Sequence, residues 1–124
     1  MREENKPLIS IVVPCFNEEE VLPVYIEEMG KIIDKMQRAE VELIFVDDGS
    51  TDRTLSLLME FHKRNEKWRY LSFSRNFGKE AAMYAGFQAA RGDYVAVMDA
   101  DLQDPPEYIP LMYQTLRQGE YDCV

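Results

Sequence analysis

Three stretches of this sequence place oxygen-bearing side chains directly after short apolar runs. They are Pro14-Cys15-Phe16-Asn17-Glu18, Asp47-Asp48-Gly49-Ser50 and Asp99-Ala100-Asp101-Leu102-Gln103-Asp104. The third is the most specific chemically. Two carboxylates at i and i+2 on a loop leaving a strand can converge on one hard divalent cation, which takes oxygen ligands and bridges to substrate phosphates. Gln103 is placed to add an amide oxygen. If all three stretches share one rim, so many like charges imply a counter-cation.

Each stretch also has a purely structural reading. Asp99 and Asp101 can be a solvated loop, and Asp104 with Pro105, Pro106 and Glu107 reads as the N-cap, first turn and capping box of a helix. Asp-Gly-Ser is turn chemistry, and Ser50 or Thr51 is placed to cap the helix that follows, so Asp47 is as well explained by the turn as by function. Phe16, just past a buried strand, reads from the residues alone as packing; an exposed ring there would instead suit a flat nucleobase. His62 and Trp68, each the sole residue of its kind, are read as structural.

The elements that must position these loops follow from periodicity. Apolar, β-branched runs at Ile9-Val13, Val41-Val46, Arg69-Phe73 and Tyr94-Met98 predict strands, and a near-continuous apolar strand is one covered on both faces. Between the first two strands Leu22, Tyr25, Ile26, Met29, Ile32, Ile33 and Met36 form one helical stripe. Asn17 with Glu20 offers a capping box, but Pro23 fits better in a first turn, so a short turn is expected before Pro23.

Further helices are predicted over 51–65, with Leu55, Leu58 and Phe61 inward, and over 78–91, with Met83, Gly86, Phe87 and Ala90 inward before Gly92. A fourth is predicted over 108–117, and a fifth strand over 121–124. The alternation is that of βαβ units, hence a three-layer α/β fold with a mostly parallel sheet. The sheet is expected to continue past Val124. In such sheets ligands bind beyond the carboxyl ends of the strands, where strand order reverses.

With 124 residues the chain has room for one domain and one sizeable core. Its 23 acidic against 14 basic residues give a net charge of -9, which argues against nucleic acid, whose phosphates are held by clustered Lys and Arg. Cys15 and Cys123 at opposite ends read as reduced thiols in a reducing compartment. The charged start, Met1 to Lys6, lacks a signal-peptide apolar region, and no eighteen-residue apolar run occurs, so a soluble piece is expected.

Aspartyl-phosphate phosphatases also place D-x-D after an apolar strand, with the first Asp as nucleophile. Against them, Gln103 stands where Thr or Val is usual. A non-catalytic receiver-like signalling module has about this length, but too little chain remains for its further strands and Lys. A calcium loop counted from Asp99 would put Pro110 where a bidentate Glu is needed, and neither a Walker loop nor G-x-G-x-x-G is present.

Four motifs in order, Val12 to Glu18, Phe45-Val46-Asp47-Asp48-Gly49-Ser50-Thr51-Asp52, Arg75-Asn76-Phe77-Gly78 and Met98 to Glu107, resemble the inverting family 2 glycosyltransferases of the GT-A fold over about Leu8 to Val124. The D-A-D-L-Q-x-P-P-E run resembles the polyprenyl-phosphate sugar transferase branch, akin to dolichol-phosphate mannose synthase. Ser74-Arg75-Asn76-Phe77-Gly78 is similar to bactoprenol glucosyltransferases. The resemblance implies that Pro14, Phe16 and Glu18 line a nucleotide pocket with Ala100 beside them, and that Asp48 meets the base or ribose. Asp99, Asp101 and Gln103 would hold Mg or Mn against the diphosphate, Asp99 and Asp101 being the catalytic pair.

The implied reaction is attack of a polyprenyl phosphate oxygen on the anomeric carbon of a UDP- or GDP-sugar, with inversion. It would take place on the cytoplasmic membrane face, in a protein compatible with homo-oligomerisation. The resemblance also implies that residues 1–124 are a single nucleotide-sugar-binding domain, the first part of a longer catalytic one. The acceptor-side acidic residue would then lie beyond Val124, so this stretch would bind donor without turnover.

Overall fold

A computed structural model describes residues 6–36 and 38–101. Along the chain run β1 (Leu8–Cys15), α1 (Leu22–Lys35), β2 (Glu40–Asp47), α2 (Thr54–Arg64), β3 (Trp68–Ser72), α3 (Lys79–Ala89) and β4 (Tyr94–Val97). The first four of the expected strands are present, every pairing is parallel, and the order is β3-β2-β1-β4. The chain therefore winds outward from β1 to β3, then returns to the far side of β1. The reversal falls between β1 and β4.

β1 and β2 have no wet face. Ile9, Ile11 and Val13 join Val41, Leu43 and Phe45 in a core that α1 and α2 cover, while Val12, Ile44 and Val46 turn to the other face and meet Ala82 of α3. Alternate residues of a strand point to opposite sides, so the near-continuous apolar runs require helices on both faces. The result is the expected three-layer α/β arrangement. The larger core centres on Tyr25, fully buried, with its ring edge-on to Phe45 at 5.9 Å between centroids; Phe45 in turn meets Phe61 at 5.8 Å.

The helix boundaries differ from expectation for local reasons. α1 does follow a short turn, and Pro23 stands in its first turn, but the Asn17-Glu20 capping box does not form: Asn17 takes a left-handed φ of 54° and turns its amide to Thr51. α2 begins at Thr54, not Thr51. Neither Ser50 nor Thr51 caps it, because Ser50 Oγ accepts from Asn17 N–H and Thr51 N–H donates to Asn17, whereas Asp52 Oδ1 accepts from Thr54 N–H.

α3 buries only part of the expected set: Gly86, and Ala90 just past the helix end, pack inward, but Phe87 does not. Its buried residues are Ala82 and Gly86, and Phe87 is 45% exposed. The helix lies so close to β1 that a Cβ on Gly86 would stand 2.3 Å from Val12 Cγ1, which leaves no room for Phe87 or Met83 beneath it. The helix also stops before Arg91, since Arg91 N–H donates to Glu42 Oε2 and Gly92 N–H to Ser10 Oγ.

Glu42 was not foreseen. It sits at 1% exposure near the amino end of β2, on the α3 face. Ser10 Oγ–H, Arg69 Nη1 and the Arg91 side chain all donate to its carboxylate, and Arg69 Nη1 reaches on to Ala89 O at 2.9 Å. Burial pushes this carboxyl up, but the hydrogen bonds from Ser10, Arg91 and Arg69 and the charge of Arg69 outweigh it and hold it below the ordinary value of 4.5. Every buried side-chain N or O among the described residues has a partner.

Two outcomes follow. A depressed folded carboxyl adds stability that is present above the ordinary glutamate value and is lost as pH falls through the folded one. Glu42→Gln should therefore cost about 2 kcal/mol in urea unfolding at neutral pH, a deficit that shrinks in acid. Gly86→Ala should cost about 1–3 kcal/mol at either pH, through overpacking against Val12.

Candidate functional site

Four loops leave the carboxyl ends of the strands on one rim, and the reversal between β1 and β4 opens a crevice there. A cleft of about 300 Å³ occupies it, lined by Pro14, Phe16 and Glu18 from the loop after β1, Asp48 after β2, and Asp99, Ala100 and Asp101 after β4. Every site residue read from the sequence that lies among the described residues thus lines one cleft. Gln103 lies outside them, as do Asp104 to Glu107, the predicted fourth helix and fifth strand, and Cys123. Cys15 and Lys79 complete the lining.

The loops are held to one another by backbone groups. Asp48 N–H donates to Cys15 O at 2.8 Å, Glu18 N–H to Thr54 Oγ1 at 2.8 Å and Glu19 N–H to Asp52 Oδ2 at 3.2 Å. With Asn17 and Ser50 these bonds lock the loop after β1 against the start of α2, and so fix where Phe16 and Glu18 stand. Phe16 is 46% exposed. The packing reading of Phe16 is therefore corrected: the left-handed turn at Asn17 carries its ring to the rim.

Asp47 and Asp48 part ways. Asp47 is buried and accepts from Ser50 N–H at 3.1 Å, which is the turn role. Asp48, also buried, accepts from Phe77 N–H at 2.7 Å, Gly78 N–H at 3.1 Å and Asn76 Nδ2 at 3.2 Å. Its carboxylate thus satisfies amides at the entry to α3, where an anion is favoured. Gly49, at φ 73°, lets the same loop pass close by; a Cβ there would stand 2.3 Å from the carbonyl carbon of Arg75.

The electrostatics are acidic with one cation. Asp99 Oδ1 pairs with Lys79 Nζ at 2.8 Å. Glu18 is pushed above its ordinary value, first by burial, then by the charges of Asp101 and Asp99. Among the described residues no group of three or more His, Cys, Asp or Glu stands ready to hold a metal ion. The donor chemistry of the rim still fits one: hard carboxylate oxygens gathered on one cleft suit a cation that also takes phosphate oxygens.

Lys79, Asp52 and Thr54 escaped the sequence reading. Lys79 follows the Arg75-Asn76-Phe77-Gly78 motif and carries a basic group at a helix start, which was the available signal. Asp52 closes the second of the four motifs but has no role of its own in that reading, and Thr54 shows only as a polar residue near a helix start. Burial pushes the Cys15 thiol well up, so it is a packing group in the cleft wall. His62 and Trp68 lie elsewhere, with His62 Nδ1 3.1 Å from Trp68 O.

The pattern described as Glycosyl transferase family 2 matches residues 10–124. The chain is 41% identical over 111 residues to a prophage bactoprenol glucosyl transferase homolog of Escherichia coli (strain K12), covering 90% of this chain and 36% of that protein. It is 46% identical over 117 residues to an undecaprenyl-phosphate 4-deoxy-4-formamido-L-arabinose transferase of Pectobacterium atrosepticum, covering 94% and 35%. The chain thus spans about a third of the length of the curated relatives it matches.

Among solved structures, glucosyl-3-phosphoglycerate synthase from Mycobacterium tuberculosis in complex with UDP superposes with a TM-score of 0.68 at 30% identity, covering 92% of this chain and 41% of that one. A mannosyltransferase from Pyrobaculum calidifontis in complex with GDP-Man and Mn2+ gives a TM-score of 0.66 at 21% identity, covering 82% and 34%, and shares the fold. The α/β fold is that of GT-A glycosyltransferases. No helix among the described residues is long and apolar enough to cross a membrane.

The loop bonds give a measurable consequence. Asp48→Ala should speed hydrogen exchange at the Phe77 and Gly78 amides and cost about 1–3 kcal/mol of stability. Gly49→Ala, strained in φ and against the Arg75 backbone, should perturb the same amides without removing an acceptor.

Proposed function

The chain belongs to glycosyl transferase family 2, and from that premise we propose that it forms the donor-binding part of an enzyme that moves a hexose from a nucleotide sugar to a polyprenyl phosphate. The observation that carries the reading is the cleft at the β1/β4 reversal, where Phe16, Glu18, Asp48, Asp99 and Asp101 converge. The relatives above 40% identity are named for transfer to bactoprenol or undecaprenyl phosphate, and UDP is bound in a structure 30% identical.

In this reading the exposed Phe16 ring stacks on the base, with Pro14 and Glu18 beside it and Asp48 meeting the base or ribose from the cleft wall. Asp99 and Asp101, with Gln103, would hold Mg2+ or Mn2+ at the donor diphosphate. The ion would supply charge stabilisation for the departing nucleoside diphosphate. The lipid phosphate oxygen attacks the anomeric carbon and its configuration inverts. The acceptor is a membrane lipid, and the reading places the reaction on the cytoplasmic face.

Titration of UDP-glucose and GDP-mannose into the protein, with and without Mn2+, tests this. Binding of one nucleotide sugar should require the ion and should fall about tenfold or more in Asp101→Ala, which removes one charged oxygen ligand. Metal-independent binding, or none, would overturn the donor-site reading. Acyl-phosphate formation at Asp99 from a small phospho-donor is not expected.

A further inference from the structure

Lys79 is poorly placed for the helix it begins. A cation in the first turn opposes the helix dipole, and the side chain is 59% exposed, so its 2.8 Å contact with Asp99 Oδ1 is too screened to be a strong structural tie. Its position makes sense in the cleft instead. Among the described residues lining the cleft it is the one cation, and it faces Glu18, Asp99 and Asp101. The neighbouring Arg75 is turned over the Phe77 ring, 4.8 Å from its centroid.

A helix N-terminus would ordinarily offer its amides to a phosphate. Here Asp48 already accepts from Phe77 N–H and Gly78 N–H. Beside these two amides, which precede the helix, the Lys79 ammonium adds a mobile donor on a flexible stem, with three N–H bonds and a compact charge.

We propose that Lys79 exchanges partners: without ligand its ammonium neutralises Asp99, and when a divalent cation takes the Asp99 carboxylate the ammonium turns into the cleft and binds the donor diphosphate. This rests on the donor-site reading and extends it to a residue that serves both states. Lys79 and the cation compete for the same carboxylate oxygen, and the released ammonium then faces phosphate oxygens. The exchange gives both Lys79 and Asp99 an opposite charge in either state.

Mn2+ alone, then UDP at saturating Mn2+, titrated calorimetrically into wild type, Lys79→Met, Lys79→Arg and Glu80→Gln, tests the exchange. Lys79→Met should bind Mn2+ alone several-fold more tightly, because its competitor is gone, and UDP about tenfold more weakly, because a charge-assisted contact is lost. Lys79→Arg should recover most of the UDP affinity, and Glu80→Gln, one residue along the helix, should match wild type. Circular dichroism should show all four folded alike.

Unchanged UDP affinity in Lys79→Met, or Mn2+ affinity that does not rise, overturns the exchange while leaving the donor site standing. Wild type that binds no UDP with Mn2+ brings down the donor-site reading and the exchange together.

Discussion

The docking of α3 onto the inner strands is the constraint on which the rest of the architecture depends. It is held at three points: Asp48 accepts amides at its entry, Gly86 sits flush on Val12, and Glu42 gathers Arg91 and Arg69 at its exit. The helix covers the second face of β1 and β2, and without it Val12, Ile44 and Val46 would meet water. Its closeness also sets the aim of its first residue. Because Gly86 permits the close approach and Asp48 fixes the entry, Lys79 stands within hydrogen-bond distance of Asp99.

Two of the buried carboxylates, Glu42 and Asp48, have opposite tasks at opposite ends of the sheet. Glu42, near the amino ends, is closed in by donors from three elements, and those donors offset the cost of burying its charge. Asp48, at the carboxyl ends, is satisfied chiefly by backbone amides and so serves both the fold and the cleft wall. A parallel sheet segregates these roles naturally. Its amino ends can be tied shut, while its carboxyl ends carry the loops that must stay open to a ligand.

The rim is preorganised by bonds from backbone N–H groups of one loop to side-chain oxygens of another. The cross-loop bonds from Asn17, Glu18 and Glu19 to Ser50, Thr54 and Asp52 place the Phe16 ring and the Glu18 carboxyl before any ligand arrives. Asp99 lies two residues past the four-residue β4 and pairs with an exposed lysine. One wall is thus tied by cross-loop bonds and the other carries a solvent-exposed ion pair.

Sequence alone determined the strands, their parallel pairing and the convergence of Phe16, Glu18, Asp48, Asp99 and Asp101 on one rim. Near-continuous apolar runs and the carboxyl-end rule act through local chemistry and chain direction. What only the tertiary structure decided was which neighbour each polar group would find. Thr51 was available to cap α2 and went to Asn17; Phe87 looked inward by spacing and was excluded by the closeness of Gly86 to Val12. Glu42 in an apolar strand has a meaning only once Ser10, Arg69 and Arg91 surround it. Lys79 reads as a surface charge until α3 docks and delivers it to Asp99. Pairings across twenty or more residues are set by packing distance and by competition among donors, neither of which is written in the spacing of residues along the chain.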